Sequence, residues 1–382
     1  MPSIETLAGD LLASSVDLAA QEALLVAEGA PLEEQIAVKL ARSKSMVRSH
    51  PGPLHASVVF AMYRETERML TPEQHPHGED FITRKAGQLD WLFDGNGRWD
   101  LVLVDDGCPD GSGQLAESII EERNLGSAAR VLHLADAIER GHPAAAGLSH
   151  TDESRKGGSI LYGMYEAAQR SEPGHVVVYT DADLSTNLGQ VGLLVDAVAK
   201  GAVCAAGSRR EPTSVVVKGG ARNDRGKLFI YIWKQMLPQL QEMIDTQCGF
   251  KGFPGESVPT LTRDSIERQF AFDIELLLRC AIGDGGPIAR VPVAWVDSEE
   301  ASTTTELDPY LDMLTAVARM YRTYLAPSDR PEQFARLVEG MAPAQWRTLV
   351  DSIPQEIVGR EPLDFATWAD VSAADLAAIL EA

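Results

Sequence analysis

A short apolar run that ends in two aspartates constrains this chain more than any other stretch. Val176 to Tyr179 is rich in β-branched residues and predicts a buried strand. Asp181-Ala-Asp183 follows directly, so the strand would deliver two carboxylates to the carboxyl edge of a sheet. Open α/β sheets bind their ligands at that edge. Paired carboxylates there suit Mg²⁺ or Mn²⁺ bound together with a phosphate.

The composition narrows the class of protein and its partners. The 382 residues carry a formal net charge of -22, which argues against nucleic acid or an anionic membrane as a partner. No uncharged apolar stretch reaches about 18 residues and the start is unlike a signal peptide, so we predict a cytoplasmic protein with no integral membrane segment. The four cysteines are far apart, which indicates neither a zinc site nor a disulfide framework.

Three regions are predicted from the patterning of the chain. Residues 1–53 form an N-terminal helical segment, residues 54–325 an α/β domain that would hold the functional site, and residues 326–382 a small C-terminal helical segment. Strands and helices alternate in the middle region, which predicts an α/β fold with a doubly wound, mainly parallel sheet. The helical additions would serve packing or a homodimer contact.

Four segments carry more specific structural expectations. Residues 136–155 are predicted to form a long polar loop, and residues 222–243 a single long helix. Residues 245–253 are predicted to be irregular, and residues 288–295 to form one strand.

A first chemical motif follows a predicted strand over residues 101–104. Asp105 and Asp106 come directly after it and precede Gly107. Carboxylates at this place can hydrogen-bond a base or a ribose. The alternative is an ordinary strand-to-helix turn with Asp110 or Ser112 as the helix cap. A dinucleotide-binding glycine fingerprint is absent here.

A second motif lies at the predicted start of a helix. Arg155 and Lys156 precede Gly157 and Gly158. Backbone N–H groups, the positive helix end and a cation would converge there, so an anion site is predicted. A simple loop-to-helix transition is the alternative.

Two further stretches lie downstream. The segment Asp245-Thr-Gln-Cys-Gly-Phe-Lys251 suits a loop pressed against a ligand, with Lys251 available for a phosphate. Asp273 and Glu275 lie in a predicted helix, roughly 200° apart, so only one of them can face a cleft. We favour Asp273, which could instead be a helix cap.

Together these stretches resemble the family-2 glycosyltransferases of the GT-A fold, most closely the dolichyl-phosphate glucosyltransferase-like branch. The similar stretches in chain order are Val104-Asp-Asp-Gly107, Lys156-Gly-Gly-Ser159, Asp181-Ala-Asp183, Gly207-Ser-Arg209, Asp245-Thr-Gln-Cys-Gly-Phe-Lys251, Phe272-Asp-Ile-Glu-Leu-Leu277 and Val291-Pro-Val-Ala-Trp295. These stretches occur in the same order as in the family and lie within roughly residues 55 to 325.

The resemblance implies an inverting transfer of a sugar from a UDP- or GDP-linked donor, assisted by Mg²⁺ or Mn²⁺. In that family Asp105 or Asp106 would bind the base, and Asp181 with Asp183 would reach the metal and the sugar diphosphate. The implied donor-binding residues are Asp105, Asp106, Lys156, Gly157, Asp181, Arg209 and Lys251. The implied metal ligands are Asp181 and Asp183, and the implied general base is Asp273 or Glu275.

The chain departs from the family in three places. Arg64 stands where the family usually has asparagine, and the 136–155 loop is long. The membrane-anchoring segments of the polyprenyl-phosphate branch are missing, which favours a water-soluble acceptor.

Two other functions are compatible with the same motifs. A non-catalytic nucleotide-sugar binding protein would bind without turnover. A phosphohydrolase of the haloacid-dehalogenase type would use Asp181 as nucleophile, but that motif usually lies near the start of its domain, whereas at least three strands are predicted before Asp181.

Overall fold

The computed structural model describes residues 3–170, 172–217, 223–283, 285–297 and 309–381. Its strands are β1 (His55–Met62), β2 (Arg98–Asp105), β3 (Ala129–His133), β4 (His175–Thr180), β5 (Cys204–Ser208), β6 (Val215–Val217), β7 (Phe250–Pro254), β8 (Ile288–Pro292) and β9 (Ala294–Val296). Within these ranges seven strands form the main sheet, in the order β3-β2-β1-β4-β7-β5-β8, and β6 pairs with β9 separately.

The helices of the first half are α1 (Ile4–Ala13), α2 (Leu18–Glu28), α3 (Leu32–Ser49), α4 (Thr66–Met69), α5 (Phe81–Phe93), α6 (Ser112–Glu122), α7 (Leu134–Glu139), α8 (Gly157–Ala168) and α9 (Val191–Ala199). Those of the second half are α10 (Asn223–Met236), α11 (Val258–Thr262), α12 (Phe272–Ile282), α13 (Tyr310–Tyr324), α14 (Asp329–Glu339), α15 (Pro343–Asp351), α16 (Gln355–Val358) and α17 (Ala373–Glu381).

The predicted fold class is confirmed: the sheet is mainly parallel and helices cover both of its faces. β1, β2, β3 and β4 pair in parallel, as do β5 and β8. Side chains of β4 alternate between two apolar cores, because successive residues of a strand point to opposite faces. Val176 and Val178 pack with α5, α6 and α9, whereas Val177 and Tyr179 pack with α8, α10, α12 and α13.

The helical ends pack on this sheet domain. α3 contacts α5 and α9. At the other end, the Tyr231 ring of α10 contacts the rings of Phe334, Phe365 and Trp368 from the C-terminal segment. Within the described ranges, no helix is both long and apolar enough to cross a membrane.

The four specific structural expectations need correction. The end of the 245–253 segment, predicted to be irregular, lies in β7, which is antiparallel to both β4 and β5. The 136–155 segment includes most of α7 and two 3₁₀ turns. The long predicted helix ends at Met236, and its first predicted residue, 222, lies outside the described residues. β8 and β9 replace the single strand predicted over 288–295, since Val293 pairs instead with Ser208 and Val215.

Candidate active site

Asp181 and Asp183 lie just beyond the carboxyl end of β4, all six residues of which are buried. The N–H of Ser185 donates to Oδ1 of Asp183 at 3.0 Å, which fixes a tight turn after the strand. The carboxylate of Asp181 lies over Gly249, where any side chain would collide with it. The strand therefore delivers both carboxylates to the sheet edge, and the absence of a side chain at position 249 leaves room for one of them.

Lys156 is the direct partner of Asp181. Its ammonium forms an ion pair with Oδ1 of Asp181, and 36% of the lysine side chain is exposed. Burial disfavours the charged form of the lysine, but the carboxylates of Asp181, Asp183 and Asp273 outweigh it and raise the pKa of Lys156. A cation therefore stands at the mouth of the site, within the field of three carboxylates.

Lys85, on α5, lies behind the same turn, and no motif of the sequence singled it out. Its side chain is fully buried, and its ammonium donates to the backbone carbonyl of Asp181 at 3.1 Å. Burial lowers the pKa of Lys85 to about 8, against the opposing pull of Asp183 and Asp181. Within the sequence it is one lysine on an amphipathic helix, a position that is usually exposed.

A second cation from the first half of the chain lies near Asp183. Arg68 pairs with Glu65 at 2.8 Å and with Glu79 at 3.0 Å, and its charge favours the ionised form of Asp183. Burial and the neighbouring Asp181 nevertheless raise the pKa of Asp183. Asp183 is thus a carboxylate whose negative charge is incompletely compensated.

The two aspartates after β2 have different surroundings. Asp106 accepts hydrogen bonds from the Lys156 N–H at 2.8 Å and from the Ser159 hydroxyl at 2.6 Å, so it fixes the start of α8. Burial raises the pKa of Asp106. Asp105 accepts from the Cys108 N–H at 3.2 Å and contacts His133 Nδ1 at 3.4 Å. Both carboxylates are largely buried, and the contacts of Asp106 indicate that it positions Lys156.

Gly157 begins α8, as predicted, and its small size is required by a neighbouring backbone. A Cβ there would collide with the backbone of Arg268 and Gln269. The N–H of Gly158 donates to the Arg268 carbonyl at 2.8 Å. The start of α8 is therefore packed against the segment that leads into α12.

Arg209 follows β5 and is held by Asp245. Its Nε and Nη2 lie 2.8 and 2.7 Å from the two carboxylate oxygens of Asp245, and its backbone N–H donates at 2.9 Å. Burial opposes ionisation, but the Arg209 guanidinium holds the pKa of Asp245 far below its usual range. The same guanidinium lowers the pKa of Asp181, so Arg209 contributes positive charge to the site while paired.

Lys251, on β7, is fully buried rather than directed into open space. Its ammonium donates to the carbonyls of Thr246 at 2.8 Å and Cys248 at 2.7 Å, and lies 3.5 Å from Oδ2 of Asp273. In the structure its partners are protein oxygens. It therefore fixes the 245–249 loop against α12, a different environment from the phosphate contact that the resemblance implies.

The carboxylates of Asp273 and Glu275 lie on different faces of α12. Asp273 faces the 245–251 loop and accepts from Gln247 Nε2 at 2.6 Å. Burial raises the pKa of Asp273, while Lys251 and Lys156 oppose that rise. Asp273 thus shares one cationic neighbour, Lys156, with Asp181.

Glu275 is fully buried away from this group. It accepts from the Ser265 hydroxyl at 2.7 Å and from the N–H groups of Ile266 and Glu267 at 2.8 Å each, and the Tyr324 hydroxyl also donates to it. These contacts anchor the 265–267 loop and α13.

The residues present fit a divalent metal ion. Asp181 and Asp183 offer hard oxygen ligands, and the raised pKa of Asp183 shows that an added positive charge would be favourable there. Within the described ranges no group of three or more metal-ligating His, Cys, Asp or Glu side chains occurs. Two carboxylates suffice for Mg²⁺, which retains water and binds substrate phosphates.

No family model matches this chain. It is 27% identical over 234 residues to glycosyltransferase AglD of Haloferax volcanii, a match that covers 61% of this chain and 32% of AglD. It is also 27% identical over 285 residues to a dolichyl-phosphate beta-glucosyltransferase of Dictyostelium discoideum, covering 71% of this chain and 75% of the relative. Among solved structures, glucosyl-3-phosphoglycerate synthase from Mycobacterium tuberculosis aligns with a TM-score of 0.44 and 18% identity, over 76% of this chain and 85% of that one.

This chain spans about a third of the length of AglD and three quarters of that of the Dictyostelium enzyme. The predicted resemblance to the family-2 type glycosyltransferases is thereby confirmed, and the chain is a homologue of those enzymes.

Proposed function

We propose that this chain is an inverting glycosyltransferase that moves a sugar from a UDP- or GDP-linked donor to a water-soluble acceptor, with the help of Mg²⁺ or Mn²⁺. The observation that supports this most directly is the grouping of Lys156, Asp181, Asp183 and Asp273 at one place on the sheet edge. It combines an anion-binding cation, a pair of metal-ligating carboxylates and a separate carboxylate that can act as a base.

The donor's diphosphate is the first group that this arrangement would bind. Asp181 and Asp183 would hold the metal ion, which when bound neutralises charge on the departing nucleoside diphosphate. Lys156 lies at the mouth of the site and Arg209 adds positive charge behind it. Asp105 or Asp106, at the end of β2, is the proposed contact for the base.

Asp273 is the proposed general base. Its side chain is buried, and burial raises its pKa, which makes it a stronger proton acceptor than an exposed aspartate. In a single in-line displacement the acceptor oxygen would bond to the anomeric carbon as the bond to the diphosphate oxygen breaks. The acceptor's hydroxyl proton would pass to Asp273, which Gln247 and Lys251 hold in position.

Glu275 is a poorer choice for that role. Each of its carboxylate oxygens already accepts hydrogen bonds from buried donors of the protein. A base must be able to reach the proton that it removes, and these contacts leave Glu275 engaged on the opposite face of α12.

A screen of nucleotide ligands tests the proposal. Thermal unfolding would be followed with UDP, GDP and, as a control, ADP, each with and without Mn²⁺. A panel of UDP- and GDP-sugars would then be assayed for hydrolysis. We expect metal-dependent stabilisation by UDP or GDP and slow hydrolysis of the corresponding sugar nucleotide. Binding without any hydrolysis would favour the non-catalytic binder, and release of phosphate from aryl phosphates would favour the phosphohydrolase.

A further inference from the structure

A cleft lies beside the candidate active site. It has a volume of about 850 Å³, within the usual range for small-molecule sites. Its walls come from the 147–155 segment, the 266–271 segment and α13. Arg155 and Ala271 line it, whereas their neighbours Lys156 and Asp273 belong to the group at the sheet edge. The cleft is thus separate from Asp181 and Asp183 but adjoins the same backbone.

Arg268 is the most unusual residue of this cleft. Only 8% of it is exposed, and its Nη2 donates to the Ala146 carbonyl at 2.9 Å. Its Nη1 is buried without a hydrogen-bond partner among the described residues. A buried N–H that lacks an acceptor is costly, because it has been removed from water without a replacement hydrogen bond. Burial accordingly lowers the pKa of Arg268.

None of the acidic side chains described in the lining of the cleft accepts a hydrogen bond from Nη1 of Arg268. Among the described residues, four arginines and four acidic residues line it, although acidic residues outnumber basic ones 56 to 34 in the whole chain. Arg319 pairs with Glu267 at 2.6 Å, and Arg322 pairs with Glu339. Glu153 accepts from the Ser149 N–H at 2.7 Å.

Among the described lining residues, two cations and two anions, Arg155, Arg268, Glu153 and Asp312, then have no ion-pair partner. Arg155 is exposed and forms no ion pair with any described residue, and Arg268 lacks an acceptor for Nη1. Asp312 is exposed at the start of α13. Apolar side chains such as Leu148, Phe270 and Met313 form the rest of the wall.

We propose that this cleft is a binding site for a small molecule that carries a carboxylate or a phosphate, with Arg268 and Arg155 holding the anionic group. Arginine donates several N–H groups in a planar array that matches both oxyanions. The Arg268 carbonyl is bound to the first turn of α8, so this cation is held at a fixed place. The site is independent of the sugar-nucleotide activity and can be tested without a nucleotide.

The test follows thermal unfolding of the full chain without nucleotide or metal. Inorganic phosphate and, separately, malonate are titrated against NaCl at matched ionic strength. We expect a saturable rise of the midpoint beyond that with NaCl. A response to phosphate alone identifies a phosphate site, a response to malonate alone a carboxylate site, and a response to both a general oxyanion site. No rise beyond NaCl with either ion overturns the proposal.

Variants locate the bound ion. Arg155→Gln changes an exposed residue, and Arg268→Lys keeps the charge but removes the guanidinium N–H groups. Each should raise the dissociation constant at least about tenfold. The exposed Arg123→Gln, at the end of α6, controls for the loss of a positive charge and should bind as the wild type does.

Lys156→Gln separates this cleft from the proposed donor site. Phosphate or malonate binding should persist in that variant. Binding that is lost in Lys156→Gln but unchanged in Arg155→Gln and Arg268→Lys would place the ion at the donor site and contradict the proposal.

Discussion

The ammonium of Lys85 donates a hydrogen bond of 3.1 Å to the backbone carbonyl of Asp181. Ninety-six positions separate the two residues in the chain, so this contact ties α5 to the turn after β4. It engages the backbone of Asp181, whereas Lys156 pairs with the side chain of the same residue. The placement of the two carboxylates therefore depends on a residue that lies outside every recognised motif.

Replacement of Lys85 by methionine should reduce turnover with little change in stability. Loss of the ammonium leaves the Asp181 carbonyl without its donor, while it also removes a costly buried charge. We expect the free energy of unfolding to stay within about 1 kcal/mol of the wild type. Sugar-nucleotide turnover should fall roughly tenfold or more, because small displacements of reacting groups are expensive. Urea denaturation measures the free energy of unfolding, and a hydrolysis assay measures turnover. Unchanged turnover would show that Lys85 does not position Asp181 for the reaction.

Asp183→Ala should abolish the metal-dependent part of nucleotide binding and leave the fold intact. The side chain makes one local hydrogen bond, to the Ser185 N–H, and its raised pKa shows that its charge is not needed for stability. We expect turnover to fall by about 10²-fold or more, the size typical of lost electrostatic stabilisation. Calorimetric titration of UDP or GDP with Mn²⁺ measures the binding, and the exposed Asp152→Ala is the control. Full metal-dependent binding by Asp183→Ala would contradict the assignment.

Asp273→Asn and Glu275→Gln should separate catalysis from stability. Asp273→Asn should lower kcat by about 10²–10⁴-fold, the contribution of a general base, with a midpoint of unfolding close to that of the wild type. Glu275→Gln should instead cost roughly 3 kcal/mol of stability, since buried donors lose a charged acceptor. Steady-state kinetics measure kcat and urea denaturation measures the stability of both variants. The opposite pattern, with kcat lost only in Glu275→Gln, would identify Glu275 as the base.

His175 should lower the stability of the fold at mildly acidic pH. Its side chain is buried at the amino end of β4, stacked on His55 with ring centroids 4.2 Å apart, and burial lowers its pKa to about 4. The unfolded chain takes up this proton near pH 6.5 but the folded chain only near pH 4, so stability falls as the pH drops through that window.

The loss attributable to His175 between pH 7 and pH 5 should be about 2 kcal/mol. Urea denaturation at both pH values measures it, and the same difference in His175→Gln should be smaller by that amount. An equal pH dependence in the two proteins would show that His175 is not responsible.

Local patterns predicted the parts of the fold that depend on neighbouring residues. The apolar run before Asp181 predicted β4, and the alternation of strands and helices predicted the sheet. β7 escaped prediction because its residues pair with β4 and β5, which lie far away in the chain. The glycine-containing residues 245–253 were predicted to be irregular, whereas long-range backbone hydrogen bonds make the end of that stretch part of a central strand.

In the candidate site, too, some features follow from the local sequence and others depend on tertiary contacts. The sequence by itself determined that two carboxylates end a buried strand, that a lysine precedes a helix start, and that Asp273 and Glu275 point in different directions, because these facts follow from local geometry. Only the tertiary structure decided that Lys85 supports Asp181, that Lys251 donates its hydrogen bonds to backbone carbonyls, and that Glu275 anchors a loop. The physical reason is that the partner of a buried charge is chosen by packing between distant segments, and a lysine or glutamate has the same local pattern whether its partner is a ligand, a carbonyl or water.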